Sequence, residues 1–367
     1  ADFRQAVIER AVQRRRYLHA NPQIAYEETN ASALVRETLD GLGLPYTIIE
    51  TQNPKTGEVA RTGLIVDIQG QPCPDGRMML IRGDMDALPM TFEKSGLPHA
   101  STNEGVMHAC GHDGHTAMLL ATAEVLAAGR DSFRGTVRLL FQPAEEGAKG
   151  ARGMVQGGAL AGMDAAKKHP FVAYHNAPHI PLGTVATNPG PIMAAADYIE
   201  RLVIKGRSGH VGLNFLNPLN GARQVLNLAE EIKAEVNTGG VREISLEITQ
   251  MEVSKSSTST VPAEVVMAGS LRSFDPALRM EIKKRIEDFC GGLRGQGYEI
   301  DLEYRLATGP TINNPGASAL VVKAARDVFG AAAVDENFPR SFTAEDFGVY
   351  GVASPDLPGF VPFPLVF

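Results

Sequence analysis

Apolar side chains at Phe3, Ala6, Val7, Ile8, Ala11, Val12 and Leu18 recur at the spacing of one helix face and stop at His19-Ala20-Asn21-Pro22, which predicts a helix over 2–18. A second helix follows Thr29-Asn30 and runs through Leu34, Val35, Leu39 and Leu42 to Gly43. Short β-like runs come next, at Gly63–Ile68 and Met78–Arg82, and the second leads straight into Gly83-Asp84-Met85-Asp86-Ala87-Leu88-Pro89. Thr116–Ala128 reads as an Ala- and Leu-rich helix. Thr136–Phe141 reads as a strand halted by Gln142-Pro143, residues 151–157 as a helix, and Phe171–Tyr174 as a strand ending on His175. Alternating strands and helices predict an α/β unit, a mainly parallel sheet flanked by helices on both faces.

The pattern changes after Pro191. Tyr198–Ile204 alternates as a half-exposed strand does, a long helix spans about 218–236, and strands follow at 244–253 and 261–271. A helix over 276–293 and a strand over 298–305 complete the order β, α, β, β, α, β. That order is the split-βαβ, ferredoxin-like arrangement, an α+β unit inserted into the first. From Asn313-Asn314-Pro315 a helix and short strands resume the first unit. The expected division is 1–195, 196–308 and 309–367, with hinges near 193–196 and 306–312.

Composition adds bounds. A chain of 367 residues exceeds one typical core, so two domains are expected. With 44% hydrophobic and 21% charged residues it is an ordinary globular sequence, and a net charge of −7 argues against nucleic acid as a partner. No apolar run approaches the roughly 20 residues that span a bilayer, and the opening residues lack a signal-peptide pattern. Cys73, Cys110 and Cys290 are too few and too widely spaced for a disulfide framework, which makes a reducing cytoplasm the expected compartment.

The chemistry concentrates in Met107-His108-Ala109-Cys110-Gly111-His112-Asp113-Gly114-His115, where a thiol, three imidazoles and a carboxylate crowd into nine residues. Cys110 and His112, two apart in a glycine-containing turn, can converge on one ion although they could not share a helix face. A thiolate and a neutral imidazole suit Zn²⁺, Mn²⁺, Co²⁺ or Ni²⁺. Asp84/Asp86, Cys110/His112, Glu145/Glu146 and His175 each follow a predicted strand or open a helix, the edge where α/β sheets collect ligands. Adjacent carboxylates at Glu145 and Glu146 repel unless a cation is near, so one would bind metal and the other accept a proton from water. Asp84 and Asp86 are candidates for a further metal contact or for orienting imidazoles. His210, in Arg207-Ser208-Gly209-His210-Val211-Gly212, is too remote in sequence for spacing to assign.

Several of these stretches together resemble one family. They are Arg15–Pro22, Arg82–Met90, Met107–His115, Leu140-Phe141-Gln142-Pro143-Ala144-Glu145-Glu146-Gly147, Gly209-His210 and Ala344-Glu345-Asp346-Phe347. The family is the metal-dependent amidohydrolases that include hippurate hydrolase, N-acyl-amino-acid amidohydrolases and plant auxin-conjugate hydrolases, more distantly related to aminoacylase and the dinuclear zinc carboxypeptidases. The resemblance implies that Cys110, His112, Glu146 and His175 hold two divalent ions, with Glu145 as general base and Asp86 steadying a ligand or the ions from beneath. It implies that His210 reaches a neighbouring subunit's site to hold the oxyanion, and that the small domain forms a homodimer. The expected reaction is hydrolysis of an amide C–N bond in an N-acyl or N-aroyl amino acid, a small-molecule substrate, with no nucleic acid or membrane partner.

Three departures from the family pattern bear on that expectation. A metal-binding histidine is expected soon after Pro358-Gly359-Phe360, yet no histidine follows His210 up to Phe367. Either a ligand lies beyond Phe367 or one metal site is incomplete. Ser259-Thr260-Val261-Pro262 stands where relatives have Asn-Val-Ile-Pro, and Ser208-Gly209-His210-Val211-Gly212-Leu213-Asn214 where they have Gly-Gly-His-Ala-Ala-x-Pro. These changes leave open two alternatives: a hydrolase releasing an amine or ammonia from a small aromatic compound, and a metal-binding but inactive partner subunit.

Overall fold

A computed structural model describes residues 2–90, 93–147, 149–163, 169–213, 215–352 and 365–366. In chain order the first unit contributes α1 (Phe3–Ala20), α2 (Thr29–Gly41), β1 (Tyr46–Gln52), β2 (Val59–Gln69), β3 (Met78–Asp84), α3 (His112–Ala128), β4 (Thr136–Gln142), α4 (Gly150–Gln156) and β5 (Phe171–Tyr174). The second contributes β6 (Ala195–Lys205), α5 (Pro218–Val236), β7 (Ile244–Val253), β8 (Glu264–Ser273), α6 (Pro276–Gly295) and β9 (Glu299–Thr308). The chain then returns to the first unit with α7 (Pro315–Phe329) and β10 (Leu365–Val366).

The first unit holds a six-stranded sheet in the order β1-β2-β4-β3-β5-β10. The strands β4, β3, β5 and β10 run parallel, and β2 is antiparallel to both of its neighbours. In β2, Leu64, Ile65, Val66 and Ile68 are all buried, as in a strand covered on both faces, with half-buried Asp67 the one polar break among them. On one face Leu18 of α1, Val35 and Leu39 of α2, and Leu119, Leu120 and Ala123 of α3 close over Leu64, Val66, Leu139 and Phe141. On the other, α4 lies against β1 so closely that a Cβ on Gly153 would meet the Thr51 side chain at 2.5 Å. The register of β3 on β4 ends with Asp84 opposite Gln142, and Arg82 pairs with Ala173 of β5. The carboxyl ends of three parallel strands therefore finish at one edge, the edge where the polar residues follow.

The second unit is a four-stranded antiparallel sheet, β7-β8-β6-β9, with α5 and α6 packed on it. Its core includes Leu202, Ile204, Val225, Ile232, Leu246, Met267, Ile282 and Ile286. Both helices begin with a side-chain cap followed by proline, Asn217-Pro218 and Asp275-Pro276, which satisfies first-turn amides and presets φ. The α/β unit and the β-α-β-β-α-β unit are the fold expected from the hydrophobic pattern.

The compact units comprise 1–192, 312–339 and 346–367 in the first, and 193–311 with 340–345 in the second. This differs from a division at 195/196 and 308/309, chiefly because residues 340–345 join the second unit: Arg340 pairs with Glu243 at 2.8 Å and Ser341 bridges Met193. The Pro358-Gly359-Phe360 stretch and Asn214 lie outside the described residues. No helix among the described residues is long and apolar enough to cross a membrane.

Candidate metal centre

The polar groups sit on the turns beyond the strands. Cys110 sits just ahead of α3, and His112 opens that helix. Glu145 and Glu146 follow β4, and His175 follows β5. Gly111, the helix N-cap, has φ +90°, and a Cβ there would lie 2.1 Å from Asn176 Oδ1. Only glycine lets the chain turn back so tightly that Cys110 and His112 face the same point. The Cys110 Sγ lies 3.4 Å from His175 Nε2. Donor atoms of Cys110, His112 and His175 lie within 4.8 Å of one another, as do those of His112, Glu145 and Glu146, with His112 common to both groups.

His112 carries the main sign of a metal. It is fully buried, its Nδ1 donates to the Asp86 carbonyl at 2.8 Å, and its Nε2, 3.5 Å from Asp84 Oδ2, makes no hydrogen bond. A buried polar nitrogen with no partner is costly unless something else engages it. Backbone donation from Nδ1 leaves Nε2 to face the other donors, the arrangement of a histidine that ligates an ion once its Nε2 proton is displaced. Thiol, imidazoles and carboxylates together fit borderline-soft divalent ions. Burial lowers the basicity of His112, but Asp84 and Asp86 outweigh it and raise its pKa well above the usual histidine value. Desolvation and the Asp86 charge push Glu146 up to about 7 against the pull of His112, and burial raises the Cys110 thiol. These groups repel or hold protons until positive charge arrives, as expected of an assembled anionic ligand set.

Asp86 organises the Glu145-Glu146 turn. Its Oδ1 accepts from the Glu145 amide at 3.1 Å and its Oδ2 from the Glu146 amide at 2.9 Å, and Oδ1 also lies 3.3 Å from His112 Nδ1. The Glu145 side chain is buried, and its Oε1 accepts from the Asp346 amide at 3.3 Å. Asp84 has both oxygens engaged, Oδ1 with His115 Nδ1 at 2.6 Å and Oδ2 with Arg82 Nη1 at 2.5 Å. Burial works against its charge, but Arg82, His112 and His115 hold the Asp84 carboxyl well below the usual range. Asp84 and Asp86 thus both contact neighbouring imidazoles, and Asp84 with His112 and His115 forms a further buried set whose donor atoms lie within 4.8 Å of one another. His115 in turn meets Asn176, whose amide reaches its Nε2 at 3.0 Å.

Cys110, His112, Glu145, Glu146, His175 and Asp86 are thus brought together in the first unit. His210 is in the second, exposed, on a two-residue ladder in which Gly209 pairs with Val261 and His210 with Thr260. The two stretches that depart from the family pattern are therefore paired with each other, Ser208 Oγ also donating to the Val261 carbonyl at 2.7 Å. Sequence reasoning gave no role to Arg82, Asp346 or Glu28. Arg82 is wholly buried, donating to Gln142 at 2.9 Å and pairing with Asp346 at 3.1 Å as well as Asp84. An arginine inside an otherwise apolar strand, two residues from an aspartate, is the signal that could have flagged it.

A model of Peptidase family M20/M25/M40 matches residues 80–363. N-acetylcysteine deacetylase of Bacillus subtilis is 32% identical over 354 residues, 96% of this chain and 87% of the relative. IAA-amino acid hydrolase ILR1-like 2 of Arabidopsis thaliana is 33% identical over 352 residues, 93% of this chain and 74% of the relative. The crystal structure of Bacillus subtilis YXEP, described as a dinuclear metal binding peptidase from the M20 family, superposes with a TM-score of 0.76 at 28% identity, covering 99% of this chain and 88% of that one.

Proposed function

The chain belongs to Peptidase family M20/M25/M40, and on that premise we propose that it hydrolyses the amide C–N bond of N-acyl or N-aroyl amino acids with two divalent ions. The single observation that carries this is the buried His112 Nε2, which makes no hydrogen bond, among the Cys110, His175 and Glu146 donors. Relatives that act on an acetylated amino acid and on an auxin–amino acid conjugate support the substrate class.

Cys110, His112, Glu146 and His175 would hold the ions, which would supply Lewis acidity and a more acidic water. Glu145 takes the proton from the attacking water and passes it to the leaving amine. Its buried carboxylate beside the Asp346 amide suits a base held in one rotamer. Asp86 fixes the Glu145-Glu146 turn. His210, assigned to a neighbouring subunit's centre, steadies the oxyanion. Its Nδ1 accepts from the Gly212 amide at 3.1 Å, which places the ring proton on Nε2, free to donate. The second unit supports a homodimer, because edge strand β7 exposes the apolar side chains of Met251 and Val253. Three free cysteines are consistent with a cytoplasmic location. The test is metal analysis beside turnover of a panel of N-acetyl and N-benzoyl amino acids. Two ions per chain with hydrolysis is the expected result, and two ions without turnover of any amide would overturn the reading. Glu145→Gln should keep its metal and lose at least about a hundredfold in kcat.

A further inference from the structure

Glu28 is a fully buried carboxylate with no place in the chemistry above. Its Oε1 accepts two backbone amides, from Tyr26 and from Ala144, each at 2.8 Å, and its Oε2 accepts from Thr62 Oγ1 at 2.9 Å. Tyr26 and Ala144 are the only non-glycine residues with positive φ among the described residues, at +72° and +54°. Backbone strain of this kind persists where surroundings over-determine it, and it gathers at functional sites. Both strained residues are tied to one oxygen. The next two amides, of Glu145 and Glu146, go to Asp86. Two buried carboxylates thus capture three consecutive N–H groups, those of 144, 145 and 146.

We propose that Glu28 is a positioning residue for Glu145 and Glu146: by holding Ala144 in its left-handed conformation it aims the base and the ligand that follow. The clamp extends to the far side of the turn, where a Cβ on Gly147 would meet the Tyr26 ring at 3.2 Å. Gly150 closes it, since a Cβ there would sit 1.7 Å from the Pro143 carbonyl oxygen. Glu28 is kept beside Asp86 although that charge opposes the ionisation of Glu28. Burial first and the Asp86 charge next push Glu28 up to about 7, a cost unlike that of an ordinary helix-entry residue. Glutamine can keep the geometry: its oxygen can face the two amides and its NH₂ the Thr62 hydroxyl oxygen.

The inference rests on the assignment of Glu146 to metal, which comparing the visible spectra of Co²⁺-loaded wild type and Glu146→Ala checks before any Glu28 variant is made. Glu28→Ala should still bind two Co²⁺ but show an altered ligand-field spectrum and a kcat at least about tenfold lower, with KM within about threefold. Glu28→Gln should restore the wild-type spectrum and kcat to within about threefold. If Glu28→Ala does not fold, the pair Glu28→Ala/Ala144→Gly relieves the strained φ and restores folding, yet leaves kcat low because glycine does not fix the aim. Wild-type kcat and spectrum in Glu28→Ala or in the double variant would overturn the proposal. So would loss of thermal stability with an unchanged spectrum and kcat. Absence of hydrolysis in the wild type would instead count against the substrate reading, while the spectral comparison still decides Glu28.

Discussion

Gly111 and Arg82 show how single positions hold the centre. At Gly111 alanine must adopt φ +90° and place its Cβ against Asn176, which also contacts His115. Gly111→Ala should therefore destabilise the apoprotein by about 1–3 kcal/mol, measured by urea unfolding, and lower bound metal, measured by elemental analysis. Unchanged values of both would refute the account of the turn. Arg82→Met strands Asp84 and Asp346 without their shared cation, so a loss of about 3–5 kcal/mol is expected. The same change at partly exposed Arg201, paired with Asp301 at 2.9 Å, should cost under about 1 kcal/mol. The contrast explains what the sequence could reveal about the site. Residues with metal chemistry, such as Cys110 and His112, announce themselves by type and spacing. Arg82 and Glu28 act through burial and through backbone amides far along the chain, which no local pattern encodes.

At the scale of elements, α1 has a sparse buried apolar face, Val7 and Leu18, and meets α3 through charged pairs as well. Arg10 and Arg14 pair with Glu124, and Arg15 and His19 with Asp113. His19 bonds Asp113 at 2.9 Å and Glu93 at 3.3 Å, so its pKa is raised, first by the Asp113 hydrogen bond, against the burial that opposes it. A raised histidine pKa contributes stability that is full below the unfolded value of 6.5 and lost as pH rises through the folded one. The stability difference between wild type and His19→Gln, followed by urea midpoint between about pH 5 and 9, should shrink as pH increases. A difference that stays flat would remove His19 from the fastening. Helices and central strands were legible because their apolar periods are regular. Strand β1 was not, because Tyr46–Gln52 interleaves Thr, Glu and Gln at a sheet edge with only two buried residues. Helix α3 starts at His112 and not Thr116, since its first turn is polar for the sake of the site and carries no hydrophobic signal.

At the scale of the whole molecule, the metal donors all belong to one unit while His210 belongs to the other. If His210 serves the centre of a neighbouring subunit, catalysis belongs to a dimer and two different lesions can complement. His210→Asn leaves Glu145 intact, and Glu145→Gln leaves His210 intact, so each homodimer lacks one group at every centre. In a heterodimer with two-fold symmetry of contacts, the centre of the His210→Asn chain keeps its Glu145 and receives His210 from its partner. The other centre lacks both. Random co-assembly makes about half the dimers mixed, each with one competent centre, so activity should recover to about a quarter of wild type. Each variant alone should stay about a hundredfold or more below it. Recovery requires sharing across an interface. An inactive mixture, with heterodimers verified by differently tagged chains, would place the action of His210 within its own chain. A mixture that remained monomeric would remove the dimer itself.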